Sequence, residues 1–169
     1  MAHLLVTQLR FARSEFVRCL AGVSSASEAC RRINELNCLS WMIGHLAEQE
    51  QRFWILRAQG KEIIPGLQDI VGSRRPASTP PLEEMWTAWR AITSVADTYL
   101  ETVTPEISQT YLQREDGKPP YESVGTQLLR NIYHYWIHNG QVILIRKLLG
   151  HTELPQIVGN MSNAMYQPE

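Results

Sequence analysis

Four long segments of the chain carry apolar residues at helical spacing. In the first segment the apolar positions recur every three or four residues, at Leu5, Leu9, Ala12, Phe16 and Leu20. Arg10, Arg13 and Arg18 fall on other faces of the same segment. This pattern predicts an amphipathic helix over about residues 4–20.

The second long helix is predicted over about residues 36–58, a stretch that ends just before Gly60. A short helix is expected ahead of it, because Ser25 and Glu28 are three residues apart and form a capping-box pattern. We expect this short helix to continue to about residue 31.

The third and fourth long helices have recognisable starts and stops. The run 78–84 offers hydroxyl caps, prolines and then two acids, which is typical of a helix start, and this helix is predicted to reach about residue 102. The fourth helix is predicted over about residues 122–149, with Lys147 in its last turn and Gly150 after it. Residues 104–120 are expected to be irregular, and the tail 152–169 to pack as coil.

No stretch alternates with period two strongly enough to indicate a sheet. The chain is therefore predicted to be an all-α protein in which four long helices pack as a four-helix bundle. Its 169 residues suit one domain, residues 1–169.

Composition narrows the class of protein. Hydrophobic residues make up 44% of the chain and charged residues 20%, a balance typical of a globular domain. The formal net charge is −1 and the basic residues are spread along the chain, so we expect no nucleic-acid partner. No segment approaches the roughly 20 apolar residues of a membrane helix, so no membrane contact is expected.

Cysteine usage indicates the cytoplasm. The chain has three cysteines and no CxxC pair, a pattern that suits a reducing compartment better than a disulfide framework. The first residues do not resemble a signal peptide either.

The fourth helix carries the chemistry. Residues 131–145 contain no Asp, Glu, Lys or Arg, so we expect this part of the helix to be mostly buried. At about 100° per residue, five polar side chains lie within roughly 40° of one line: Gln127, Asn131, His134, His138 and Gln141. A buried polar stripe must be satisfied by neighbouring groups or by a ligand.

Three histidines are candidate metal ligands. His134 and His138 are four residues apart, so their imidazoles stand one above the other on the helix and can share one ion. His45, in an apolar stretch of the second helix, is the candidate third ligand. The alternative is that these histidines are buried and hydrogen-bond to a backbone carbonyl or to a tyrosine.

One acidic residue is a candidate for proton transfer. Glu48 lies three residues after His45, on the same side of the helix, where a carboxylate can act as a general base or can orient a ligand. The alternative is a solvated glutamate beside Arg52. Cys38 lies about 10 Å along the axis from His45, too far to ligate the same ion.

Two segments resemble the DinB-like (YfiT-type) metalloenzyme family. Residues 37–47 are similar to the family's second-helix pattern, which ends in Gly/Ala-His-Leu, and residues 134–142 are similar to its HxxxHxGQ element. The resemblance implies an antiparallel four-helix bundle with a long crossover connection. It also implies one divalent metal ion, zinc or nickel above all, bound by His45, His134 and His138.

The same resemblance assigns neighbours to the site. Gly140 matches a small residue where helices pack closely, and Gln141 matches a polar neighbour of the ion. Together with Asn131 of the polar stripe, Gln141 is expected to support the ligands from outside.

Family members include thiol-dependent S-transferases and related isomerases. The first hypothesis is a metal-dependent enzyme, a thiol transferase or a hydrolase, whose partner is a small-molecule substrate or a low-molecular-weight thiol. The second is a non-catalytic, stress-associated metal-binding protein that forms a homodimer through apolar helix faces. The third is a helical partner-binding module in which the histidines are core hydrogen-bonding groups.

Overall fold

The structure, a computed structural model, describes residues 2–23 and 25–166. Within those residues the fold consists of seven α-helices and one π-helical segment. The helices are α1 (Leu4–Cys19), α2 (Ala26–Ala29), α3 (Leu39–Glu50), α4 (Leu67–Val71), α5 (Leu82–Leu100), α6 (Pro105–Ser108) and α7 (Val124–Leu148), and the π-helical segment Gln51–Arg57 continues α3. The described residues form no strand beyond one isolated bridge, which confirms the all-α prediction.

Side-chain caps explain where several helices begin. Ser123 accepts a hydrogen bond from the backbone N–H of Thr126 and starts α7, and Ser25 caps α2 through the N–H of Glu28, as the capping-box pattern predicted. The sulfur of Cys38 caps α3 in the same way, so this helix begins three residues later than expected. These caps satisfy N–H groups that have no partner within the helix.

The hydroxyl cap expected for the third long helix is wrong. Pro81 occupies the N-cap position of α5 and makes no side-chain cap, while the hydroxyl of Ser78 donates to the carbonyl of Ile70 at 2.6 Å. Two short helices, α4 and α6, lie in stretches that were predicted to be turns or irregular. Both have five residues or fewer, too short for an apolar period to mark them.

The long helices bury a common core. α1 packs on α7, α3 packs on α5 and α7, and α5 also packs against the π-helical segment. Fully buried side chains from each long helix meet in one hydrophobic cluster, among them Phe16, Leu46, Ile92 and Val142. This packing places α3 beside α7, the arrangement that the candidate metal site requires.

A buried ion pair also joins these helices. Arg13 of α1 donates to both carboxylate oxygens of Glu50, and the hydroxyl of Tyr135 on α7 donates to the same carboxylate at 2.6 Å. Arg13 was expected on a polar face of α1. Instead its side chain is 6% exposed and that of Glu50 is fully buried.

The close helix approach lies at Gly44, and the expectation for Gly140 is wrong. A Cβ added to Gly44 would overlap the sulfur of Met85 on α5 and would lie 3.0 Å from a methyl group of Val71 on α4. A Cβ on Gly140 would meet nothing within 4 Å. A side chain at position 44 of α3, beside His45, would therefore displace Met85, whereas position 140 of α7 has room for one.

The C-terminal tail is coil, as expected, from Thr152 to the last described residue. It lies along α1: Arg18 donates to the carbonyl of Gln156 at 2.6 Å, and Glu15 accepts from the N–H of Val158 at 2.8 Å. Residues 167–169 of the predicted tail lie outside the described residues.

Candidate metal centre

α3 and α7 bring the three predicted ligands together. The ring centroid of His45 lies 4.9 Å from that of His134 and 5.4 Å from that of His138, and the latter two are 4.6 Å apart. One nitrogen from each ring lies within 4.8 Å of the others. The cluster can therefore hold a metal ion, with one ligand from α3 and two from successive turns of α7.

His45 is fixed from two sides. Its Nδ1 atom lies 2.8 Å from the carbonyl oxygen of Val71, the last residue of α4. A carbonyl only accepts, so Nδ1 carries the proton and Nε2 keeps its lone pair for a ligand. Trp41 stacks on the imidazole, with ring centroids 4.3 Å apart. The short helix α4, which was not predicted from the sequence, thus supplies the carbonyl group that orients His45.

His134 is held by a residue that sequence reasoning missed. Its Nδ1 atom lies 2.9 Å from Oε1 of Gln49, and the same oxygen accepts a 2.8 Å hydrogen bond from Asn131. Gln49 follows His45 by four residues and so stands on the same side of α3. That spacing was the available signal for Gln49. Asn131 supports the site through this amide and makes its side-chain hydrogen bonds to Gln49 and Trp54.

His138 is hydrogen-bonded to another of the three candidate ligands. Its Nε2 atom lies 3.0 Å from Nε2 of His134, and its ring is 6% exposed. The Nδ1 atom is buried and has no hydrogen-bond partner in the part of the chain that the structure describes. Gln141 is half-buried about one turn further along α7, and its side chain acts on His138 by raising its pKa against the effect of burial.

All three imidazoles are neutral at pH 7. Burial, reinforced by the neighbouring histidines, lowers the pKa of His134 to about 3, and burial with His45 lowers that of His138 to about 4. Burial also lowers the pKa of His45. Neutral imidazole is the form that binds a metal, and a three-nitrogen donor set suits zinc, nickel, copper or ferrous iron. The residues present therefore fit a divalent ion.

Glu48 lies outside the ligand cluster. Its carboxylate is buried 3.5 Å from the guanidinium of Arg52, one turn further along the chain. Burial raises its pKa, with Arg52 acting in the opposite direction. The solvated glutamate considered as the alternative is wrong, because only 4% of the residue is exposed.

A cavity of about 500 Å³ adjoins the site. Gln49 and His134 are among its lining residues, Arg130, Ser73 and Thr126 contribute further polar groups, and its apolar lining residues are Leu129, Tyr133 and Ile137. Pockets of a few hundred cubic ångströms are typical of small-molecule sites. A molecule in this cavity would touch one of the candidate ligands.

The outward face of α7 is more exposed than the sequence predicted. Its uncharged stretch, residues 131–145, was expected to be mostly buried, yet Tyr133, Ile137 and Leu144 within it are exposed. They form one apolar face of α7 together with Leu129 and Leu148 on either side of the stretch. Tyr133 and Ile137 are each 60% exposed. Residues without charge can thus occupy both faces of one helix.

Comparison with known proteins gives the family. The family model described as the DinB superfamily matches residues 8–142. The chain belongs to the DinB superfamily. The match contains all three histidines, so the DinB assignment and the histidine cluster together are compatible with a metal-binding protein. No curated protein matches the chain. No helix among residues 2–23 and 25–166 of this DinB protein is long and apolar enough to cross a membrane.

Proposed function

We propose that this DinB-superfamily protein is a divalent-metal-dependent enzyme that activates a small nucleophile, water or a low-molecular-weight thiol. The observation that carries the proposal is the meeting of three neutral imidazoles, with ligand nitrogens within 4.8 Å of one another, beside a cavity of about 500 Å³. A site built only to stabilise the fold would use four protein ligands. Three ligands leave a position for a reactant.

The chain's own residues have distinct roles in this proposal. His45, His134 and His138 hold the ion, with zinc or nickel as the expected metals. A bound divalent ion supplies Lewis acidity, which makes a water or thiol proton acidic enough to leave near neutral pH. Glu48 is the candidate proton acceptor, since burial raises the pKa of its carboxyl.

Two reaction classes follow from the two nucleophiles. In thiol transfer the sulfur attacks an electrophilic carbon, a carbon–sulfur bond forms, and the leaving group departs with the electrons of the broken bond. In hydrolysis the oxygen of water takes the place of sulfur. The thiol or substrate would occupy the cavity beside Gln49 and His134, where apolar and polar walls suit an amphipathic small molecule.

Cobalt substitution tests the proposal directly. Cobalt-loaded wild type should show the visible spectrum of a site with nitrogen ligands, and added cysteine should produce a sulfur-to-cobalt charge-transfer band if a thiol binds the ion. Turnover is then measured with cysteine plus chlorodinitrobenzene for transfer, and with para-nitrophenyl acetate for hydrolysis. His138→Ala should lose both spectrum and turnover, while His3→Ala, outside the cluster, should keep them.

The contrary result is also defined. Metal-loaded wild type that shows no thiol band and no turnover above His138→Ala with either substrate would contradict the enzyme proposal. It would leave the non-catalytic metal-binding protein as the better account.

The exposed apolar face of α7 supports a second candidate, a metal-binding protein that forms a homodimer. This face extends over about five turns of the helix and borders the cavity at Leu129, Tyr133 and Ile137. Exposed apolar stripes of this kind mark interaction surfaces. Light scattering on wild type and Ile137→Glu tests it: a dimer that becomes a monomer in the variant supports the candidate, and a monomeric wild type rejects it.

A further inference from the structure

We propose that a chain of hydrogen bonds from Trp54 through Asn131 and Gln49 fixes the tautomer of His134, so that its Nε2 lone pair faces the metal position. The inference deepens the proposed function and rests on it for the role of the metal. The four side chains come from three places in the chain: the π-helical segment, α7 and the end of α3. The indole of Trp54 can only donate a hydrogen bond, and this sets the direction of each hydrogen bond that follows.

The first link is the indole of Trp54. Its Nε1–H lies 2.8 Å from Oδ1 of Asn131, and both side chains are fully buried. An indole nitrogen is a donor and never an acceptor. The atom of Asn131 that faces it must therefore be the oxygen, which fixes the orientation of this amide.

The second link transmits that orientation to Gln49. With its oxygen on Trp54, Asn131 turns its Nδ2 group toward Gln49, at 2.8 Å. An amide nitrogen only donates, so the atom of Gln49 that faces it is Oε1. Gln49 is 7% exposed, so water is largely excluded from this contact.

The third link sets His134. The Oε1 atom of Gln49 also faces Nδ1 of His134, at 2.9 Å, and an oxygen without a proton can only accept. Nδ1 of His134 must carry the hydrogen, and Nε2 must carry the lone pair. The reverse arrangement would turn both amides and place the N–H of Trp54 opposite the NH₂ group of Asn131, two buried donors without an acceptor, which is unfavourable.

A consequence follows for His138. Its Nε2 atom lies 3.0 Å from Nε2 of His134, which this chain of bonds leaves as an acceptor. In the metal-free protein His138 therefore donates from Nε2 and leaves Nδ1 bare, in agreement with the lack of a partner for that buried atom within the described chain. The metal-free protein should thus contain two Nδ1–H histidines, His45 and His134, and one Nε2–H histidine, His138.

The tautomers are measured without metal, by nitrogen-15 NMR of the histidine rings at neutral pH. The expected result is the pattern of two and one given above. Trp54→Phe removes the donor that starts the chain, so His134 should become a mixture of tautomers. Trp89→Phe is the matched control. The indole of Trp89 also donates a hydrogen bond of 2.8 Å, but it does so to the hydroxyl of Tyr135, and this bond is not one of the hydrogen bonds between Trp54 and His134. Trp89→Phe should leave the pattern unchanged.

Zinc affinity, measured by competition with a chromophoric chelator, gives the second readout. Gln49→Leu should weaken zinc binding about 10- to 100-fold, the usual effect of losing a partner of a ligating histidine. Gln49→Glu keeps an acceptor for Nδ1 and should bind zinc at least as tightly as wild type. Circular dichroism confirms that each variant is folded.

The two proposals fail differently. An Nε2–H tautomer at His134 in the metal-free wild type, or zinc binding by Gln49→Leu within about twofold of wild type, against the 10-fold minimum expected, would overturn the role given to Gln49. The expected tautomers in a wild type that takes up no zinc would instead overturn the metal function.

Discussion

The buried pair between Arg13 and Glu50 offers the sharpest test of how the bundle is held together. Arg13→Met removes the cation and leaves the Glu50 carboxylate buried with only the hydroxyl of Tyr135 as a donor. Breaking a buried pair from one side costs about 3–5 kcal/mol. For a chain of this length that is a decrease in melting temperature of roughly 6–20 °C.

A matched control lies one turn away on the same helix. Arg10 lies 3.4 Å from Asp97, and both of these side chains are 35% exposed. Arg13 also contacts Asp97. Arg10→Met should therefore cost only about 0–1 kcal/mol. The double variant Arg13→Met/Glu50→Gln carries no buried charge at this position and should recover much of the loss seen in Arg13→Met.

Urea denaturation of the metal-free protein measures all four unfolding free energies. An equal, small loss for Arg13→Met and Arg10→Met would refute the reasoning, because it would mean that Glu50 is accessible to solvent and does not depend on Arg13. A double variant less stable than Arg13→Met would refute it as well, since the cost would then come from lost packing and not from an uncompensated charge.

Three further predictions concern the site and the helices around it. Because the pKa of His138 falls from 6.5 to about 4 on folding, this residue should lower the stability of the metal-free protein by up to about 3 kcal/mol as the pH falls from 6.5 to 4, in addition to the loss that His134 causes. His138→Gln should make the dependence less steep, and an equally steep wild type and variant would contradict the prediction. Gly44→Ala should lower the free energy of unfolding by about 1–3 kcal/mol, measured by urea denaturation, because the added Cβ meets Met85. The same substitution made in a Met85→Ala protein should lower it by less. Gly140→Ala should stabilise α7 by up to about 1 kcal/mol, since nothing surrounds that position, and a loss would show an unrecognised contact.

The clustering of the three histidines could be predicted from the sequence because their spacing carries the information. His134 and His138 share one face of an unusually uncharged helix, and His45 stands in an apolar stretch whose pattern resembles the family's. Glu48 was found by the same reasoning from spacing, and its part in the chemistry stays a prediction. The long helices followed from apolar periodicity, although their first residues depend on caps such as Cys38.

Other parts of the site could not be predicted. The hydrogen-bond partner of His45 is the backbone carbonyl of Val71. Every residue has a backbone carbonyl, so the residue type does not predict this partner. Every residue of α3 is buried, so burial does not distinguish Gln49, and only its spacing of four residues from His45 marks it. Arg13 was placed on a polar face because a charge usually lies there, and only the meeting of α1 with Glu50 accounts for its burial.

Metal content is the most direct test of the central claim, that His45, His134 and His138 form one metal site. Untagged wild type, His138→Ala and His3→Ala are each exposed to zinc or nickel, passed through a desalting column and measured by mass spectrometry. The expected result is about one equivalent in wild type and His3→Ala and little in His138→Ala, as a single three-histidine site requires. Equal metal in all three proteins, or none in wild type, would contradict the account.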